Sequence, residues 1–141
     1  MTITQTAATP RHMPLKRTIL GLLALFLLGN AIFMLLNPLG WYGAVAGVPD
    51  TGPFNPHFVR DIGVAYLTIA LLTAAAARWL RHAYLLMSAV TLYLGLHVLL
   101  HIWDVAAGRL DADHLLIDFP GVAGPTIIAA ALVYWLRADR A

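Results

Sequence analysis

The sequence predicts an all-α integral membrane protein: an antiparallel four-helix bundle with both termini cytoplasmic. Three observations carry that prediction. Apolar residues fill 60% of the 141 positions and charged residues 11%, against about 45–50% and roughly 25% in soluble domains. Mean hydropathy is +0.76, too apolar for a disordered chain. The apolar residues also gather into four runs near the length of about 20 residues that crosses a bilayer core. Finally, seven of the nine Lys and Arg residues fall on one side of the topology those runs generate.

The first span is Thr18–Leu36, closed by Asn37-Pro38, with residues 1–16 ahead of it as a flexible cytoplasmic tail. A cleaved leader is its rival, with Arg11, Lys16 and Arg17 as the basic region and Ala44-Val45-Ala46 as a small-residue site. The apolar run exceeds the usual stretch of about 7–15 residues, so the helix is expected to stay. Residues 37–55 form an outer interfacial loop. Its apolar part, Trp41 to Val48, is too short to cross and carries Gly43 and Gly47 at GxxxG spacing. That part serves as an interfacial anchor, the favoured reading, or tucks back over the bundle as a lid.

The second span is expected over 56–78, with Asn55 as N-cap and Pro56 as first helical residue. The third runs from Ala83 to Trp103, so close behind the second that the two must be antiparallel neighbours. The fourth covers 119–136, with Gly121, Gly124 and Pro125 loosening its start. None of the runs alternates as barrel strands would, and together they leave room for a single domain over 1–141.

Orientation follows from Arg11, Lys16, Arg17, Arg78, Arg81, Arg137 and Arg140 on one side, against Arg60 and Arg109 on the other. Positive residues near span ends resist translocation, so the richer side is cytoplasmic. Trp41, Tyr42, Phe58, Trp103 and Phe119 mark the outer interface, and Trp79, Tyr84, Tyr134 and Trp135 the inner one.

Ionisable residues inside a span are costly and mark interiors or cavities. On the third helix Tyr93, His97, His101 and Asp104 share one stripe at about 100° per residue. At the outer start of the second helix stand His57 and, one turn later, Asp61. Convergence of these two sets is expected to form a site, with Asn30 and Asn37 joining from the first helix and Asp118 at the same level on the fourth. As a metal centre it would use His57, Asp61, His97, His101 and Asp104, which suit zinc, iron or copper. As a quinone site it would use His97, His101 and Asn30 to hydrogen-bond the head group and carry protons outward. Haem would need a facing histidine such as His57, since His97 and His101 cannot both be axial to one iron. A further reading is a hydrogen-bond network that only fixes helix register, with Asp61 paired to Arg60 or to a histidine of the third helix. His12 reads as a tail residue, His82 as interfacial beside Arg81, and His114 as solvated in an acidic loop. The absence of cysteine excludes disulfides, iron–sulfur clusters and thiolate zinc sites.

The segment Gly52-Pro53-Phe54-Asn55-Pro56-His57-Phe58-Val59-Arg60-Asp61-Ile62-Gly63, within a short four-span chain, resembles the DoxX-like bacterial membrane proteins. That resemblance implies a four-helix fold in the bacterial inner membrane. It also implies an association with quinone-linked redox work, since the group's namesake is a membrane subunit of a thiosulfate:quinone oxidoreductase. No site residues are carried over from it. The partners expected are the lipid bilayer and a second copy or larger membrane complex, and not nucleic acid. The competing classes are a non-enzymatic subunit or scaffold and a transporter, which four short spans would build only as an oligomer.

Overall fold

The computed structural model describes residues 12–138, and every regular element among them is helical. Helix α1 covers Met13–Leu36, α2 Pro38–Ala44, α3 Pro56–Arg78, α4 Leu80–Ala106, α5 His114–Ile117 and α6 Gly124–Arg137. A 3-10 turn at Val48–Thr51 lies between α2 and α3, and a π turn at Phe119–Ala123 leads into α6. Four segments are long and apolar enough to cross a membrane: Met13–Leu36, Pro56–Arg78, Leu80–Ala106 and Phe119–Arg137.

The second span has the bounds the sequence predicts. Its start is fixed by Asn55, whose Oδ1 accepts from the backbone N–H of His57 at 3.0 Å and of Phe58 at 3.2 Å. Those are two of the orphan donors that every helix start leaves open. The other spans outrun their apolar cores, because a helix does not end where hydrocarbon does. α1 starts at Met13, with Pro14 in its first turn. The expected flexible tail therefore lies outside the described residues up to position 11 and is helical from Met13 onward. α4 continues to Ala106 and is closed when the backbone N–H of Arg109 donates to Asp104 O at 2.9 Å. The fourth span opens as a π turn: Pro120 and Pro125 lack backbone donors, so the regular ladder is interrupted there.

α1 packs along α3, α3 along α4, and α4 along α6, while the α1–α6 seam is thin. Leu20, Leu27, Ala31, Met34, Tyr66, Ile69, Met87, Val90, Leu94, Ala129 and Leu132 form the shared core. Gly63 sets the closest approach of α1 and α3. A Cβ there would sit 3.0 Å from Met34 Cβ and 3.1 Å from Leu35 Cγ, so only a hydrogen fits. Outward-facing leucines, isoleucines and phenylalanines on all four long helices stay exposed, among them Leu22, Leu25, Leu71, Leu92, Leu99 and Ile127. An apolar exterior of this kind matches lipid rather than water.

α1 and α6 meet at the end of the bundle remote from the long connections. Lys16, a residue the sequence reading left in the tail, is buried there, its ammonium 4.9 Å from the centroid of the Trp135 ring. His12 adds a tilted ring contact with Trp135 at 6.2 Å. Its place is the N-cap of α1, in a left-handed conformation with φ 67°. The long connections, residues 37–55 and 107–118, cover the opposite end, the loop end of the bundle.

Candidate functional site

A cavity of about 1000 Å³ lies at the loop end. Its floor and sides come from all four long segments: Phe26, Asn30 and Met34 of α1, Val59, Ile62 and Tyr66 of α3, His97, Leu100, His101 and Asp104 of α4, and Pro120, Gly121 and Val122 of the π turn. Residues of the first long connection, among them Trp41, Tyr42, Val45, Val48 and Phe54, complete the wall. Segment 37–55 therefore folds back against the bundle and covers the cavity.

The cover is fastened by specific bonds. Trp41 Nε1 donates to Asn30 Oδ1 at 2.8 Å, and Asn30 Nδ2 donates to Met34 Sδ at 3.6 Å. Tyr42 Oη donates to the carbonyls of Gly52 at 2.8 Å and Pro49 at 3.3 Å. Asn37, expected at the site, instead caps α2 by accepting from the backbone N–H of Gly40 at 3.0 Å. His114, expected in solvent, is buried, with Nε2 3.5 Å from Asp50 Oδ2 and its ring against Gly47. The second connection is thereby pinned to the first. Gly47 has φ +81°, and a Cβ there would meet His114 Nδ1 at 3.2 Å, so glycine is required on both counts.

The polar stripe of α4 is built as its spacing implies. The rings of Tyr93 and His97 lie parallel with centroids 6.2 Å apart, and those of His97 and His101 meet edge-on at 4.8 Å. Tyr66 of α3 faces the stripe edge-on, 5.9 Å from Tyr93 and 6.0 Å from His97. His101 Nδ1 lies 2.7 Å from Asp118 Oδ2, the two side chains being 19% and 15% exposed. This largely desolvated carboxylate–imidazole pair joins α4 to the head of the π turn. Asp104 also lines the cavity, but its Oδ1 accepts from Arg109 Nη1 at 2.7 Å.

The expected convergence of the α3 and α4 sets does not occur. His57 and Asp61 pair with each other, Nε2 to Oδ2 at 3.3 Å, with side chains 84% and 57% exposed, and neither lines the cavity. The reason is helical phase. Each lies two residues from Val59, which is buried, and two steps of about 100° place a residue on the opposite face. Arg60, the other partner expected for Asp61, instead donates from Nε to the carbonyl of Leu35 at 3.3 Å. Among the described residues no group of three or more His, Asp, Glu or Cys side chains is arranged to hold a metal ion. His82, expected at an interface beside Arg81, accepts from Arg81 Nε at 2.8 Å on an exposed surface.

Of the residues the sequence nominates, the cavity thus gathers His97, His101, Asn30 and Asp104. It adds Asp118, Tyr66 and Trp41, which the nominated sets left out. Asp118 had a signal in its place before the fourth span, at the level of His101. Tyr66 had one in sharing a helical face with Val59 and Gly63. Trp41 had none beyond its aromatic belt. Comparison of the chain with protein-family models, with curated proteins and with solved structures finds no match.

Proposed function

We propose that the chain is a multi-pass protein of the bacterial inner membrane whose loop-end cavity binds the ring of a quinone-class lipid. In this reading the bundle is antiparallel, with both termini in the cytoplasm and the cavity at the outer surface. The observation that carries it is a cavity of about 1000 Å³, largely apolar, into which one desolvated imidazole–carboxylate pair and a second imidazole converge. Small-molecule sites have this make-up: apolar walls, volumes of about 300–1,000 Å³ and few polar groups to fix orientation. In this reading an apolar tail leaves toward lipid between α1 and the fourth span, whose Phe26 and Val122 line the cavity. The resemblance of segment 52–63 to DoxX-like proteins points in the same direction. The metal reading has less support, because His57 and Asp61 stand apart from His97 and His101.

A second reading keeps the bundle and drops the ligand: the His101–Asp118 bond fastens α4 to the fourth span, and the protein is a scaffold. Melting curves in detergent with and without decylubiquinone separate the two. A ligand bound to the native state raises stability by mass action, about 2.7 kcal/mol at a hundredfold excess over Kd. The binding reading expects a saturable rise in Tm that His101→Ala removes. The scaffold reading expects none, with His101→Ala lowering Tm equally in both conditions.

A further inference from the structure

Charge is divided unequally between the two ends of the bundle. Asp50, Asp61, Asp104, Asp111, Asp113 and Asp118 stand in or beside the connections of the loop end, and the remaining acid, Asp139, lies outside the described residues. The opposite end has Lys16, Arg17, Arg78, Arg81 and Arg137 and, among the described residues, no carboxylate. These cations are not equivalent. Lys16 is buried against Trp135, and the Arg137 guanidinium lies 4.2 Å from the centroid of the Tyr134 ring. Arg78 and Arg81 are exposed instead, and they flank the tight turn from α3 to α4. Arg81 Nε donates to His82 Nε2 at 2.8 Å, which leaves both of its Nη groups for another acceptor.

The surface that runs away from these two arginines is apolar. Leu71 and Ala74 are exposed on α3 ahead of Arg78, and Leu85 and Leu92 are exposed on α4 behind Arg81. At about 100° per residue, these spacings of four and seven keep each row on the face that its arginine heads. Trp79, half-exposed in the turn itself, marks the level at which indole rings settle among lipid head groups. Cationic heads and apolar rows are therefore continuous, and a molecule with an anionic head and hydrocarbon tails matches both. We propose that the α3–α4 turn binds an acidic phospholipid, its head group held by Arg78 and Arg81 and its acyl chains laid along the leucines of the two helices. Net negative charge is the recognised feature. A zwitterionic phospholipid has the same phosphate but brings a cation of its own, which the arginines repel. This site is separate from the cavity and does not depend on what the cavity holds.

The test titrates the full-length protein in neutral detergent with four probes and follows Tm. The probes are dioleoylphosphatidylglycerol, dioleoylphosphatidylcholine, dioleoylglycerol and inorganic phosphate. A basic residue at a lipid surface is worth about fivefold in affinity for acidic lipid. With two arginines, phosphatidylglycerol is expected to half-saturate at roughly twentyfold lower concentration than phosphatidylcholine. Dioleoylglycerol, which lacks the phosphate, and inorganic phosphate, which lacks the tails, should not reproduce its effect. The double variant Arg78→Gln, Arg81→Gln is expected to bind both phospholipids equally, whereas Arg78→Lys, Arg81→Lys keeps most of the preference because it keeps the charge. Equal half-saturation by the two phospholipids in the wild type overturns the proposal, and so does a preference that survives in the glutamine variant. A rise in Tm with inorganic phosphate that matches phosphatidylglycerol would make the turn a free-anion site and overturn the lipid assignment. The wild-type comparison needs no variant, so poor folding of the glutamine variant does not rescue the idea.

Discussion

The indole of Trp41 donates to the side-chain carbonyl of Asn30 at 2.8 Å, and this one bond ties the cover of the cavity to the span beneath it. Its partner Asn30 is half-buried inside an apolar helix, where an unmet acceptor is costly. Trp41→Phe keeps most of the packing and removes the donor. A loss of about 1 kcal/mol is expected, concentrated in the cover. Hydrogen exchange should accelerate over residues 37–55 and remain unchanged in the core of α3. Uniform acceleration along the chain would mean that the bond supports the whole bundle.

A second prediction concerns Gly63, where a Cβ would stand 3.0 Å from Met34 Cβ. Neither helix can retreat without disturbing the core around Met34 and Ala31. Gly63→Val should cost about 1–3 kcal/mol by overpacking, read as a lower Tm in detergent. The same substitution at Gly29, where nothing lies within 4 Å, should leave Tm close to wild type.

His57 and Asp61 supply the third. An exposed pair one turn apart on a helix is worth about 0.2–0.5 kcal/mol. His57→Ala and Asp61→Asn should each change Tm little and leave ligand affinity at the wild-type value, in contrast to His101→Ala. For the same reason a chelator should not lower the Tm of the purified protein. A Tm that falls with EDTA and recovers with zinc, iron or copper would restore the metal reading.

How much of this was legible in the sequence differs between the fold and the site. The four spans could be read because the bilayer imposes a length and a polarity on every crossing. α3 even has its expected ends, since Asn55-Pro56 is a local signal that needs no tertiary context. The stripe Tyr93–His97–His101 could be read because one helix fixes its own periodicity. Convergence between helices could not be read so directly, as it depends on which face each helix turns inward. There helical phase decides: Val59, Gly63 and Tyr66 mark the inner face of α3, and His57 and Asp61 are out of phase with it. Segment 37–55 was opaque for a different reason. Its fold rests on Trp41 reaching Asn30 and on His114 filling the space over Gly47, contacts between residues far apart in the chain.

The last prediction concerns orientation, and the chain's lack of cysteine makes it clean to test. The basic residues of the long segments gather at two ends of unequal charge. Lys16 and Arg137 lie on the α1–α6 contact end, with Arg78 and Arg81 flanking the tight turn at Trp79. The loop end has Arg60 and Arg109, both neutralised or held, by the Leu35 carbonyl and by Asp104. Positive residues near span ends resist translocation, so the loop end, which has the fewer of them, should be the translocated one. Thr51 and His82 are exposed residues near the two ends, and each can be made the only thiol in the protein. In intact spheroplasts a membrane-impermeant maleimide should label Thr51→Cys and not His82→Cys, with both labelled after lysis. The reverse pattern would put the cavity on the cytoplasmic side and overturn the proposed orientation.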